Sequence, residues 1–465
     1  MDPSLEHDLV NLDGVLQTTC DYACEWLAHL NEHHAAVPPV AQGHAALPER
    51  GRGFSAALAD FQVRWAPGFS GSAGPRYLGF VTGGATPAAL AGDWLTGTFD
   101  QNPTSAVDSS APDLERETVG WLRELFGLSE AHHGAFVTGA TMSNMVGLAI
   151  AREWAGEVKG VHIAEQGVAA LGPVRVLSGA PHSSIYKSLS MLGLGRAALV
   201  NIPLQPGREA VDLAALEHAL QTGGEQPVIV VANAGTVNTV DFDDLAAIAR
   251  LKQRYSFWLH VDGAFGSFAA LSPQHAHWVA GLDAADSLCV DCHKWLNVPY
   301  DSAVQFTRRR DLQVRVFQNS AAYLGLPDAN PDFVHLTPEN SRRLRALASW
   351  FSLAAYGRAG HRDIVDRNVA GARALGELLA RSAGFRLLAP VTLNVVCFTL
   401  TDAPTQDRVQ AFLRQVAEDG VVFLTPTLLH GTWAIRAAFS NWRTTEGDVE
   451  RVYHAIEAAY LNVSL

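Results

Sequence analysis

The chemistry of this sequence centres on Lys294, in the segment 285–300. It follows a strand-like apolar run (Ser287-Leu288-Cys289-Val290) and comes directly after His293. The chain has only four lysines, and Lys294 has more apolar neighbours than Lys159, Lys187 or Lys252. Burial disfavours a charged ammonium and lowers its pKa, and a neutral amine can act as a Schiff-base nucleophile. The alternative is a structural lysine at a strand end whose amine reaches solvent.

Two further polar residues follow strand-like runs. Thr236 comes after the β-branched run Val228-Ile229-Val230-Val231, and Asp262 ends the run that starts at Phe257. Thr236, Asp262 and Lys294 are 26 and 32 positions apart, which is about one βαβ unit each. Because ligands bind beyond the carboxyl ends of parallel strands, we expect these three side chains to meet in one crevice.

Two other segments have residue types that suit a ligand. The turn Thr138–Asn144 joins a strand (135–137) to a helix (142–155), and its small residues would let a phosphate approach the free amides of a helix start. The alternative is an ordinary turn with Thr141 as the helix cap. His182 precedes another helix and could stack on a planar ring, or could be a cap or core residue.

Together these residues describe one cofactor, pyridoxal phosphate. Asp262 would keep a ring nitrogen protonated, Lys294 would hold the aldehyde as an imine, and Gly139–Thr141 would hold the phosphate. His182 and Ala264 would lie on the two faces of the ring. We assign no metal site.

Composition excludes several function classes. The 465 residues are 48% hydrophobic and 17% charged, which suits a large core in two or three domains. A net charge of -13 argues against nucleic acid or an anionic membrane as partner. We expect no signal peptide and no spanning helix, and hence a cytoplasmic location. Five cysteines fit a reducing compartment.

The segment Cys289–His293 matches the CxxCH pattern of haem attachment. We reject haem because the chain shows no export signal and because positions three apart in a strand face opposite sides.

The domain organisation predicted from these patterns is α/β. Residues 1–85 would form an N-terminal helix (to about 35) and an irregular arm that reaches a second subunit. Residues 86–345 would form a large domain with a mostly parallel central sheet flanked by helices, at 87–97, 112–127, 142–155 and 243–254. A helix from Ser341 to about Tyr356 would lead into a smaller α+β domain, 346–465. That domain would have helices at 361–380, 405–418 and 446–460 and strands at 394–399 and 433–439.

Several motifs carry a resemblance to a known family. They are Leu78–Pro87, Thr138–Asn144, Pro181-His182, Ala234-Gly235-Thr236, His260–Ala264, Asp291–Leu296, Ser341-Arg342-Arg343 and Asn441–Thr445. Over residues 75–460 the chain resembles the group II pyridoxal-phosphate-dependent amino-acid decarboxylases. These are fold type I enzymes that include aromatic-amino-acid, glutamate and cysteine-sulfinate decarboxylases.

The resemblance implies a role for each matching residue. Lys294 would be the Schiff-base lysine, Asp262 the pyridinium partner and His182 the stacking histidine. Ala140 and Thr141 would contact the phosphate, together with Asp291 and His293, and Thr236 and Ala264 complete the cofactor-binding set. An obligate homodimer is implied, in which the partner's Asn340-Ser341 segment approaches the phosphate and the partner's Phe80 the substrate. Arg436 would meet a substrate carboxylate, or else be structural.

Two departures from the family pattern bear on the reaction. Val237 stands where the family often has a second threonine after the glycine. In the loop 331–339, Phe333 stands where many members have a proton-donating tyrosine, and a phenyl ring cannot donate a proton. Either His335 replaces it, or the outcome is oxidative deamination to an aldehyde.

We therefore expect decarboxylation of an L-amino acid through a Lys294 Schiff base and a quinonoid intermediate. The alternatives are an aldehyde synthase, an aminotransferase or retro-aldol enzyme, and a non-catalytic dimeric binding protein. The sequence does not identify the amino acid, although Phe80, Tyr323 and Phe333 could form an apolar pocket for an aromatic side chain.

Overall fold

The computed structural model of the chain describes residues 1–39, 43–319, 330–402 and 404–464. The helices are α1 (Pro3–Val10), α2 (Leu12–Ala28), α3 (Gly53–Arg64), α4 (Pro87–Phe99), α5 (Ala111–Leu125), α6 (Ala140–Lys159), α7 (Ile163–Gln166), α8 (Ser183–Met191), α9 (Leu213–Gln221), α10 (Leu245–Leu251), α11 (Cys292–Trp295), α12 (Arg310–Phe317), α13 (Ala346–Arg381), α14 (Gln406–Asp419) and α15 (Glu446–Ser464). The strands are β1 (His133–Val137), β2 (Arg175–Ser178), β3 (Leu199–Asn201), β4 (Val228–Asn233), β5 (Trp258–Asp262), β6 (Ser287–Val290), β7 (Ala303–Thr307), β8 (Phe385–Leu387), β9 (Val395–Leu400), β10 (Thr425–Leu429) and β11 (Thr432–Ala438).

The larger sheet positions the predicted site. In the described chain it has seven strands in the order β1-β7-β6-β5-β4-β2-β3. Strand β7 runs antiparallel to both neighbours, and the other strands run in one direction. Asn233, Asp262 and Cys289 are register partners on β4, β5 and β6, so the carboxyl ends of these strands lie side by side. The predicted mostly parallel α/β sheet is confirmed.

Helix α13 connects two apolar cores. Leu347 and Leu353, in its first half, pack with the large sheet, while Leu375 and Leu379 pack with the smaller sheet. That smaller sheet is antiparallel, in the order β10-β11-β9-β8. Between the two halves Gly357 has a φ of 57°, a left-handed conformation that suits glycine and interrupts the helical geometry.

Some element boundaries differ from the sequence-based predictions. Two helices, α1 and α2, replace the single N-terminal helix. The segment 36–85 is not wholly irregular, because α3 forms where good helix formers stand between the prolines and glycines. Ser341-Arg342-Arg343 precedes α13 rather than starting it, and the Arg342 side chain is buried against Glu115. The domain boundaries themselves stay a prediction.

None of the helices in the described ranges is both long enough and apolar enough to cross a membrane.

Candidate active site

A cavity of about 360 Å³ lies at the carboxyl edge of the large sheet. Segments that follow β1, β2, β4, β5 and β6 each contribute a side chain or backbone to it. The predicted site residues on its lining are Phe80, Ala140, His182, Thr236, Asp262, Ala264, His293, Lys294 and Arg436. The structure therefore brings together residues that are more than 350 positions apart in the chain.

Asp262 ends β5, and its carboxylate is held by two donors. Its Oδ1 accepts a hydrogen bond from the backbone N–H of Ala264 at 3.2 Å, and its Oδ2 accepts one from Nδ2 of Asn144 at 2.9 Å. The side chain is buried but lines the cavity. Since each carboxylate oxygen can accept more than one hydrogen bond, the Asp262 carboxylate can still accept a hydrogen bond from a protonated ring nitrogen.

His182 is both the cap of α8 and a residue of the cavity wall. Its Nδ1 accepts a hydrogen bond from the backbone N–H of Ser184 at 3.2 Å and lies 2.8 Å from the Ser184 hydroxyl oxygen. Burial lowers the pKa of His182 by disfavouring the charged imidazolium. With Nδ1 an acceptor, the neutral ring carries its proton on Nε2.

Lys294 lies in the short helix α11, and its surroundings combine one carboxylate with one aromatic ring. Its Nζ is 3.5 Å from Oδ2 of Asp291 and 5.5 Å from the ring centre of Phe265. Burial raises the pKa of Asp291 to about 6, although Lys294 acts in the opposite direction. Burial, and then the Lys294 charge, lower the pKa of His293 to about 4. Asp291 and His293, which both precede Lys294 in the chain, are thus desolvated as well.

The start of α6 offers backbone amides to an anion. Its cap is Gly139, which has no side chain to bond the first-turn amides, so Thr141 is not the helix cap. The Ala140 N–H donates to Oδ2 of Asp291 at 3.3 Å. A Cβ added at Gly139 would lie 3.3 Å from Cε1 of His293, so a side chain here would crowd the His293 ring. Positive helix-dipole ends and free amides suit a phosphate.

Arg436, on β11, lines the same cavity. It is buried, and it donates to the carbonyl oxygen of Val237 and, at 3.3 Å, to the hydroxyl oxygen of Thr425. Both acceptors are neutral. Burial lowers the pKa of this guanidinium, so an incoming carboxylate would gain a strongly desolvated partner.

Other predicted residues lie apart from the cavity. Phe333 and His335 form a buried 3₁₀ turn that does not line it: the Phe333 ring lies 5.1 Å from the Arg342 guanidinium, and His335 Nδ1 accepts from the Asn319 N–H at 3.1 Å. Their contact with substrate stays a prediction. Thr141 and Asp291 do not line the cavity, but Thr141 follows the lining residue Ala140 and Asp291 accepts a hydrogen bond from the Ala140 N–H. Phe80 lines the cavity of its own chain, whereas the resemblance implied the partner's Phe80. Tyr323 lies outside the described residues.

Four residues at this site have no role that was predicted from the sequence. Phe265 and Tyr300 line the cavity, and the Tyr300 hydroxyl oxygen lies 3.0 Å from that of Thr82. Asn144 bonds Asp262, although it was quoted only as part of a turn. The Glu209 carboxylate accepts a hydrogen bond from the Thr236 hydroxyl at 2.8 Å. Proximity to Lys294 was a usable signal for Tyr300, whereas nothing in the sequence marks Glu209.

Within the described part of the chain, no group of His, Cys, Asp and Glu residues is arranged to hold a metal ion. Cys289 and Cys292 are buried, and burial raises the pKa of both thiols. Cys292 starts α11 rather than continuing the strand.

The site fits pyridoxal phosphate. The acceptor carboxylate of Asp262 and the uncapped start of α6 lie on one cavity with the Lys294 amine, and His182 and Ala264 also face it. This arrangement defines a pyridoxal-phosphate enzyme. The chain belongs to the pyridoxal-dependent decarboxylase family, because residues 40–401 match its conserved domain. It is a carboxy-lyase whose cofactor is pyridoxal phosphate, as the sequence predicted.

Similar proteins agree with this assignment. The chain is 28% identical to the aromatic-L-amino-acid decarboxylase of Bacillus atrophaeus, over 84% of this chain and 82% of the relative. It is 27% identical to the aromatic-L-amino-acid decarboxylase of Sus scrofa, over 94% and 93%. The fold matches that of Catharanthus roseus tryptophan decarboxylase in complex with L-tryptophan, with a TM-score of 0.87, 20% identity and coverage of 97% and 98%.

Proposed function

We propose that the protein decarboxylates an aromatic L-amino acid and releases the corresponding amine and carbon dioxide. The observation that carries the proposal is a single cavity that holds the Lys294 amine, the Asp262 carboxylate, the His182 ring and the Arg436 guanidinium. The names of the relatives support the aromatic substrate class.

Each of these residues has a separate role in the proposal. When bound, pyridoxal phosphate supplies an electron sink for the electrons left on the α-carbon as carbon dioxide departs. Lys294 would hold the cofactor through Nζ, at the position where the amine of the substrate would bind. Asp262 would keep the ring nitrogen protonated, and His182 would contact the ring. Arg436 orients the incoming carboxylate.

The cavity wall favours an aromatic over an acidic side chain. Phe80, Val81, Val237 and Phe265 present apolar atoms to it. Among the lining residues that the structure describes, the fixed cations are Lys294 and Arg436. If Lys294 holds the cofactor and Arg436 the α-carboxylate, an acidic side chain has no remaining cation there, and burying it unpaired would be costly.

We also propose a homodimer, with the N-terminal helices as part of its interface. Helices α1 and α2 contain no buried residue, and Leu5, Leu9 and Leu16 are each more than half exposed. A second copy of the chain would cover this apolar surface. Deleting residues 1–28 should shift the sedimentation of the purified protein from dimer towards monomer. A wild-type monomer, or a deletion that leaves the dimer intact, would contradict this arrangement.

A substrate panel tests the reaction. The holoenzyme is incubated with L-tryptophan, L-tyrosine, L-phenylalanine and L-glutamate, and carbon dioxide, amine, ammonia and hydrogen peroxide are measured separately. We expect amine and carbon dioxide in equal amounts from one or more aromatic substrates. Fastest turnover of L-glutamate would overturn the aromatic assignment. Ammonia and hydrogen peroxide produced in equal amount with carbon dioxide would show that the enzyme is an aldehyde synthase rather than a simple decarboxylase. This is the outcome suggested by Phe333 at the tyrosine position.

A further inference from the structure

A buried chain of hydrogen bonds lies behind Asp262. Nε1 of Trp258 donates to Oγ of Ser287 at 2.9 Å, and that oxygen lies 2.8 Å from Nδ1 of His260. Nε2 of His260 lies 2.9 Å from Oδ1 of Asn144, whose Nδ2 donates to Oδ2 of Asp262 at 2.9 Å. Side chains from β5, β6 and α6 thus form one connected row, and each is buried.

The two ends of this row determine the direction of every hydrogen bond in it. An indole N–H can only donate, and a carboxylate can only accept. The amide of Asn144 must therefore turn Nδ2 towards Asp262 and Oδ1 towards His260, so Nε2 of His260 carries the proton. Nδ1 of His260 then accepts the Ser287 hydroxyl proton. Burial agrees with a neutral ring, since it lowers the pKa of His260 to about 4.

The Asn144 amide also reaches His182. Its Nδ2 donates to Oγ of Ser184 at 3.1 Å, and this hydroxyl oxygen lies 2.8 Å from Nδ1 of His182. One buried amide therefore connects the carboxylate and the imidazole that face the cavity. Gly147 lets α6 approach the row, because a Cβ there would lie 2.8 Å from Cε1 of His260.

We propose that Asn144 is a positioning residue that holds Asp262 and His182 as one unit, with His260 donating to its amide oxygen. The proposal rests on the roles proposed above for Asp262 and His182. The unit keeps the Asp262 carboxylate aimed at the ring nitrogen of the bound cofactor. Loss of either donor of the Asn144 amide would let the carboxylate and the imidazole move independently.

The test measures the cofactor rather than turnover. Pyridoxal phosphate labelled with ¹⁵N at the ring nitrogen is bound to wild-type protein and to Asn144→Leu, and NMR reports ring-nitrogen protonation from pH 6 to 9. In the wild type we expect the ring nitrogen to stay protonated. In Asn144→Leu we expect it to lose its proton at a lower pH. The dissociation constant of the cofactor should also rise roughly tenfold, as expected for the loss of one hydrogen bond to a charged group. The matched control is Asn394→Leu, which removes another buried amide, one that donates to the Phe439 carbonyl oxygen and is not part of this row.

A second pair of variants tests the direction of the row. His260→Gln keeps a donor towards Asn144 and should behave as wild type, whereas His260→Leu should reproduce the Asn144→Leu spectrum. This pair also decides the matter if Asn144→Leu does not fold. Identical ring-nitrogen titration and cofactor affinity in Asn144→Leu and Asn394→Leu, or in both His260 variants, would overturn the proposal. A wild type with an unprotonated ring nitrogen would instead remove the role of Asp262, and the substrate panel judges the reaction independently.

Discussion

Replacing Arg342 with Met should destabilise the protein more than any other single loss of a cation described here. Its Nη1 and Nη2 donate to Oε2 and Oε1 of Glu115 at 2.9 and 2.8 Å. Both side chains are 0% exposed. The Arg342 guanidinium also lies over the Phe333 ring, 5.1 Å from the ring centre.

The cost follows from what the substitution leaves behind. The Glu115 carboxylate would remain buried with the Phe136 N–H, at 3.1 Å, as its remaining donor. Breaking a buried ion pair in this way costs about 3–5 kcal/mol. The adjacent Arg343 pairs with Asp93 at the surface, with 40% of its side chain exposed. Because water screens that pair, Arg343→Met should cost about 0–1 kcal/mol.

Urea unfolding of the holoenzyme, at one protein and cofactor concentration, measures the free energies. Arg342→Met combined with Glu115→Leu should recover most of the loss, since no unpaired charge then remains. Equal losses in Arg342→Met and Arg343→Met would refute the reasoning from burial. So would a double variant as unstable as Arg342→Met alone.

Four further outcomes are expected. Lys294→Ala should abolish the visible absorbance of covalently bound cofactor, as a spectrum of the purified protein would show; a retained band would remove Lys294 from its role. Arg436→Met should lower kcat/KM roughly 10–100-fold, mainly through KM, because one charged contact to a carboxylate is lost; steady-state kinetics checks this. Gly83→Ala should lower the melting temperature and the cofactor affinity, because the added Cβ would lie 1.8 Å from the Lys294 carbonyl oxygen. The control is Gly97→Ala, whose Cβ would meet nothing within 4 Å and which should be stabilising or neutral. Lowering the pH from 7 to 5 should reduce the free energy of unfolding by about 2 kcal/mol through His260. The pKa of His260 is about 4 in the folded protein and higher in the unfolded chain, so only the unfolded state gains the proton over this range. His260→Gln should flatten that part of the stability–pH curve.

Local patterns were sufficient to locate the strands that lead into the cavity. The continuous apolar run at 228–231 is β4, with every residue buried, and the run ending at Val290 is β6. Since parallel strands place their carboxyl ends at one edge, the spacing of Thr236, Asp262 and Lys294 was enough to predict that they meet. The sequence was less informative where contacts between distant segments matter, as at Arg342, which is buried against Glu115 ahead of the start of α13.

The sequence by itself was enough to select Thr236, Asp262 and Lys294, which line one cavity, because their chemical types and their places after strands follow from local composition and periodicity. Only the tertiary structure decided which hydrogen-bond partners hold those side chains in place. The row from Trp258 to Asp262 depends on β5, β6 and α6 packing together, and Glu209 reaches Thr236 across the fold. Hydrogen bonds of this kind act over about 3 Å between segments far apart in the chain, so no local pattern encodes them.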